Sequence, residues 1–139
     1  MNLAALVIGS ALAYVAGYLM FRVVPPSNVV ALLVAFLLGA AAMCAVALFI
    51  ASVAPSARAS SGLGSLVYFP MMFFAGVWTP GPLMPPLARA IGDYTPLGAA
   101  SQAMQDAWAG DWPSPLHLAV MAAMAVGFGV AATRLFRWT

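Results

Sequence analysis

The sequence has no lysine and no glutamate; its whole charged complement is five arginines and three aspartates. With 6% charged residues against 65% hydrophobic ones and a mean hydropathy of +1.02, there is too little charge to solvate a globular surface. A soluble domain is excluded, and the reading is a membrane protein. Cysteine and histidine are each present once, as Cys44 and His117. One cysteine rules out an internal disulfide framework and a paired-thiolate metal site, so within its apolar run Cys44 reads as a small hydrophobe. The arginines form no basic stripe with interleaved aromatics, so nucleic acid is not an expected partner. There is no Walker A motif, and therefore no ATP hydrolysis by this chain itself.

What the sequence does have is long apolar runs punctuated by proline. Residues 3–24 are apolar apart from Ser10, two tyrosines and Arg22, and are long enough to cross a bilayer. A signal peptide is the weaker alternative, because the positive residue follows the apolar run. Prolines 25 and 26 with Ser27 and Asn28 make a tight connection into a second span, 29–54, which carries no charge. "APSARASSG" (54–62) reads as a short aqueous loop, and 63–78 as a third span with Pro70 in its middle and Trp78 as an interfacial anchor. "WTPGPLMPP" (78–86) places Pro80, Pro82, Pro85 and Pro86 so that this span ends early. Two short helices are expected at about 84–92 and 96–109; in the second, Thr95 is the N-cap, Pro96 the first helical residue and Gly110 the stop. Neither helix is long enough to cross. A fourth span covers 116–133, so the fold class is an all-α membrane protein with four transmembrane helices in one domain, 1–139. Arginines 58, 134 and 137 fall on one side and all three aspartates on the other, which puts both termini in the cytoplasm.

No catalytic constellation accompanies these spans. His117 opens a span without a nucleophile nearby, and interfacial placement outweighs a role as a base. Asp93 and Asp111 read as solvated loop carboxylates in preference to a cation site, so neither a metal nor a cofactor is expected. Asp106 with Gln102 and Gln105 is a functional candidate on a partly buried helix, although the polar face of a surface helix explains these residues better. Gly9, Ala13 and Gly17 recur every four residues, a spacing that lets helices approach closely. The cluster "YFPMMFFAGVW" (68–78) is either lipid-facing filler or the lining of a hydrophobic path, with filler ahead on periodicity alone.

The ordered combination "GLGSLVYFPMMFFAGVWTPGPLMPP", "IGDYTPLGAASQAMQDAWAGDWPSP" and a closing "RLFRW" resembles the C-terminal part of the type-2 ABC exporter permeases, particularly the bacterial drug and antibiotic efflux members. That resemblance implies a plasma-membrane permease that works as a dimer with a cytoplasmic ATPase subunit, surrounded by membrane lipid. It turns the two short helices into a re-entrant hairpin at the outer face, with Thr95, Pro96, Gln102 and Asp106 on its second helix. Pro70 is expected to free the Leu66 carbonyl and kink its span by its own chemistry, and under the resemblance Pro80, Pro82, Pro85 and Pro86 become the hairpin hinge. A path between two permease copies would be lined or gated by Tyr68, Phe69, Phe73 and Phe74, with hydrophobic or drug-like substrates. The family's first two spans and coupling helix have no counterpart in this sequence, which gives the expectation of a truncated or mis-started reading frame. The alternative from another class is a non-transporting membrane protein whose role is helix packing, and the Gly9/Ala13/Gly17 stripe fits it equally well.

Overall fold

The computed structural model describes residues 3–79 and 83–135. Among these are six helices and no strand: α1 (Leu3–Phe21), α2 (Val29–Val53), α3 (Ala57–Phe74), α4 (Pro86–Asp93), α5 (Pro96–Ala109) and α6 (Pro115–Leu135). Helices α1, α2 and α6 are long and apolar enough to cross a membrane. Helix α3, with Arg58 and three serines in its first half, is not among them.

Both ends of α3 differ from the sequence expectation. The helix begins at Ala57, not Leu63, because Ser56 accepts a hydrogen bond from the Ala59 amide at 3.1 Å and so satisfies a donor of the first turn. Small polar composition signalled a loop where serine was in fact capping a helix. At the other end, α3 stops at Phe74, ahead of Trp78 and of the prolines. Gly76 takes the left-handed conformation (φ 78°), its amide donates to Phe73 at 3.1 Å, and the Val77 amide donates to Met72 at 3.2 Å. This pair of bonds is a Schellman stop built on glycine. Pro80 and Pro82 lie outside the described residues. The chain stays helical through Pro70.

Helix α2 is the centre of the molecule, packed chiefly on α6 and α5. Its buried residues, Ala31, Ala35, Gly39, Ala42, Ala45 and Val46, are nearly all small. Alanines of α5 (Ala99, Ala100, Ala103) and Met121 of α6 close the core. In lipid, helices associate through close van der Waals contact more than through apolar burial, and small side chains permit that approach. At Gly39 the approach to α5 is tight: a Cβ there would lie 2.8 Å from the Ala100 Cβ.

Two contacts fix helix direction. Gly39 neighbours Met121, and further along both helices Phe49 packs at a tilt against Phe128 with centroids 5.2 Å apart, so α2 and α6 run parallel. Helix α5 runs the other way, since Ala100 meets Gly39 while the Ala107 carbonyl accepts from the Asn28 amide at 3.2 Å. The Gly39–Ala100 contact thus lies about 16 Å from the α2 N-cap at 1.5 Å per residue, and the first turn of α5 lies alongside the middle of α2.

Helix α1 stands apart. None of its span window is buried, and a Cβ at Gly9 would meet nothing within 4 Å. Among the described residues the stripe of Gly9, Ala13 and Gly17 packs against no other helix; a Cβ added at Gly17 would meet only the Val23 side chain, at 3.6 Å. The small-residue face that does pack lies on α2.

Candidate functional site

The α4–α5 hairpin is built from its turn outward. Pro85 precedes α4 and Pro86 occupies its first turn, where a missing amide costs nothing. Between the helices, the Thr95 hydroxyl accepts from the Gly98 amide at 3.1 Å and donates to the Gly92 carbonyl at 2.8 Å, closing the turn from both sides. Pro96 follows as the first residue of α5, and Gly110, with φ 106°, ends it.

Trp108 fastens the far end of the hairpin. Its indole donates to the Val24 carbonyl at 3.0 Å, its ring lies 5.9 Å from that of Tyr14, and its carbonyl accepts from the Ser27 amide at 3.3 Å. The end of α5, the α1–α2 connection and the start of α6 consequently share one end of the molecule. Arg58 and Arg134 lie at the other, where α3 begins and α6 finishes.

At that first end the structure assembles a cluster that sequence reasoning had kept apart. His117, in the first turn of α6, places Nε2 3.3 Å from Asp93 Oδ1 at the end of α4, and Nδ1 3.9 Å from Asp106 Oδ2 on α5. The imidazole is 12% exposed, against 29% and 38% for the two carboxylates. Asp106 Oδ2 also accepts from the Ser114 amide at 3.4 Å, which ties it to the α5–α6 turn. His117 Nδ1 is buried without a hydrogen-bond partner. A neutral imidazole has one N–H, so it serves one carboxylate and turns a lone pair toward the other; an imidazolium serves both. Because they address opposite ring nitrogens, the two aspartates do not converge with the histidine on one point, and no metal-holding group of His, Cys, Asp and Glu is found among the described residues. The residues come from three helices and share no helical spacing, so no periodic signal could have joined them.

The other predicted site residues are dispersed. Gln102 is half-buried on α5, and Gln105 donates to the Ser101 hydroxyl at 3.2 Å. Tyr68 lines a groove of about 190 Å³ between α2 and α3, with Met43, Ile50, Gly64 and Met71. Phe69 and Phe73 are exposed; Phe73 and Phe74 pack edge to face at 5.5 Å. Of the four aromatics, Tyr68 alone lines this groove among the described residues. A second open groove of about 420 Å³ lies between α2, the end of α3 and α5, lined by Leu32, Val77, Leu97, Met104 and Trp108. Leu97, Met104 and Trp108 of α5 face this groove, while its buried face includes Ala99, Ala103 and Ala107.

A family model described as "ABC-2 family transporter protein" matches residues 3–134, which is nearly the whole chain and every helix. The chain belongs to the ABC-2 transporter family. No curated protein and no solved structure matches it. Membership makes it a membrane component of a transport system, in keeping with its apolar helices. In this family member, the α4–α5 hairpin is held by α2, α6 and the α1–α2 connection.

Proposed function

We propose that the chain is the membrane-spanning permease subunit of an ATP-binding-cassette exporter, moving a hydrophobic or drug-like substrate out of the cell. ATP is hydrolysed by a separate cytoplasmic subunit, and a second permease copy completes the path. The observation that carries this reading is the family match over residues 3–134.

The membrane arrangement is one unit of four crossings. If α2 and α6 both span and run parallel, the chain between them must cross back. Helices α4 and α5, at 8 and 14 residues, are too short, and α3 with 18 residues is the one intervening helix near the required length. A polar first half is tolerable in a crossing that faces protein or a path instead of lipid. Helix α5, starting beside the middle of α2 and ending beside its N-cap, has the course of a re-entrant segment, with Thr95 and Pro96 at its deep end and Gln102 and Asp106 toward the surface. Arg58 and Arg134 then mark the cytoplasmic side, with both termini there in the plasma membrane. Tyr68, Phe69, Phe73 and Phe74 on α3 form the apolar path or gate against the second copy, Pro70 adapts the helix, and Pro85 and Pro86 form part of the hinge into the hairpin.

The test is to co-express the chain with its neighbouring ATPase, reconstitute both in liposomes and measure drug-stimulated ATP hydrolysis. Stimulation is expected; absence of any copurifying ATPase or stimulation overturns the reading. Topology is checked with a single cysteine at Thr79 in a Cys44→Ser background: labelling from outside is expected, and failure to label removes the four-crossing arrangement. The unpacked state of α1 also favours a second reading, a helix-packing protein without transport, for which α1 should capture a partner while no ATPase is stimulated.

A further inference from the structure

We propose that the apolar groove between α2, the end of α3 and α5 holds an acyl chain of one anionic phospholipid, whose phosphate is met by Arg22. The proposal requires that α2 cross the bilayer and does not depend on transport, so it stands or falls apart from the permease reading.

The groove exists because α3 is too short to cover α2. Helix α3 stops at Phe74, whose carbonyl lies against Gly92 beside the turn that opens α5. Since α5 opens alongside the middle of α2, α3 ends there too, and a non-helical segment that includes Val77 takes its place beside the N-terminal half of α2. The result is the cleft of about 420 Å³ lined by Leu32, Val77, Leu97, Met104 and Trp108, with no residue of α1 among its walls.

Its chemistry selects hydrocarbon. The two polar side chains in its walls, Ser101 and Gln105, hydrogen-bond to each other at 3.2 Å, and the Trp108 indole N–H is taken by the Val24 carbonyl. Water held there would lack the two to four polar partners it needs, and an unfilled apolar cleft forfeits dispersion contact along its lining. A flexible acyl chain lying along a membrane-crossing helix fills it.

Arg22 supplies charge at the mouth. Trp108 ties the N-terminal end of the groove to Val24, two residues beyond Arg22, so the guanidinium belongs to the segment that frames that end. Arg22 is exposed, and among the described residues it makes no ion pair; Asp93 and Asp106 are engaged by His117. It ends α1 in the left-handed conformation, with φ 50° and its amide donating to the Tyr18 carbonyl at 3.1 Å. Glycine makes such a stop at lower cost, yet an arginine holds the place. A phosphate matches the guanidinium fork in charge and geometry. A second copy of the chain matches it less well, having no glutamate and only three aspartates, two of them already engaged.

The experiment places the full chain in phosphatidylcholine nanodiscs containing a small, constant fraction of phosphatidylglycerol with a diazirine in its acyl chain, and maps the adducts by peptide mass spectrometry. Adducts at Leu32, Val77, Leu97 and Met104 should exceed those at Leu37, which is exposed on α2 at similar depth but outside the groove, by about fivefold, the effect of one arginine on an anionic lipid. Replacing phosphatidylcholine by unlabelled phosphatidylglycerol should lower the groove adducts and leave Leu37 unchanged. Arg22→Gln should remove the excess, Arg22→Lys should keep most of it, and Ser101→Phe, which fills the groove, should abolish it. Equal labelling of groove and Leu37, no competition, or an undiminished excess in Arg22→Gln overturns the proposal. Absence of groove adducts in every arm also overturns it and gives the groove to a second copy. Should Ser101→Phe fail to fold, the competition and Arg22 arms decide alone.

Discussion

Helices α1 and α2 both repeat small side chains every four residues, Gly9/Ala13/Gly17 on one and Ala31/Ala35/Gly39 on the other, yet only the second repeat is buried. Small residues permit close approach without supplying a partner. What α2 has and α1 lacks is an opposing alanine face held in place: α5 is fixed to the start of α2 by the bond from the Asn28 amide to Ala107 and to the α1–α2 connection by the Trp108 indole. Helix α1 meets the rest of the chain in its second half, through Tyr14 and Trp108, and leaves Gly9 open. The difference teaches that a packing motif acts only where hydrogen-bonded ends deliver a second surface to it.

The largest expected effect tests this difference directly. Gly39→Val forces a side chain into a site where even a Cβ lies 2.8 Å from Ala100, and should cost about 1–3 kcal/mol in denaturant titrations of the detergent-solubilised protein. Next, Trp108→Phe removes the indole donor to Val24 and should cost about 1 kcal/mol, with a selective rise in hydrogen exchange at the start of α2. Thr95→Ala, which uncaps α5, should lose a similar ~1 kcal/mol, whereas Ser56→Ala at the exposed cap of α3 should lose ~0.5 kcal/mol by the same titration. The smallest effect belongs to Gly9→Val on α1, within about 0.5 kcal/mol of wild type for the isolated chain. If Gly9→Val proves as damaging as Gly39→Val, the α1 stripe is an interface with another copy or partner, and the comparison becomes one between contacts inside the chain and contacts outside it.

Much of the helix layout is readable residue by residue, because caps and stops are local. Asn28, Thr95, Pro96 and Gly110 each act within one turn of where they stand. The limits of α3 depart from the sequence expectation for equally local reasons: Ser56 caps where its neighbours resemble a loop, and Gly76 stops the helix before the prolines are reached. The candidate cluster was not readable. Asp93, Asp106 and His117 occupy three different helices, and each taken alone is explained by an aqueous edge.

The sequence by itself determined that this chain lives in a membrane, roughly where its helices start and stop, and which family it resembles, since apolar length, caps and motif order are properties of neighbouring residues. Only the tertiary structure decided which small-residue stripe is used, that α2 and α6 run parallel with α5 reversed between them, and that one histidine stands between two carboxylates. Those outcomes depend on which surfaces meet across the fold, and side chains distant along the chain carry no periodic mark of the partner they will find.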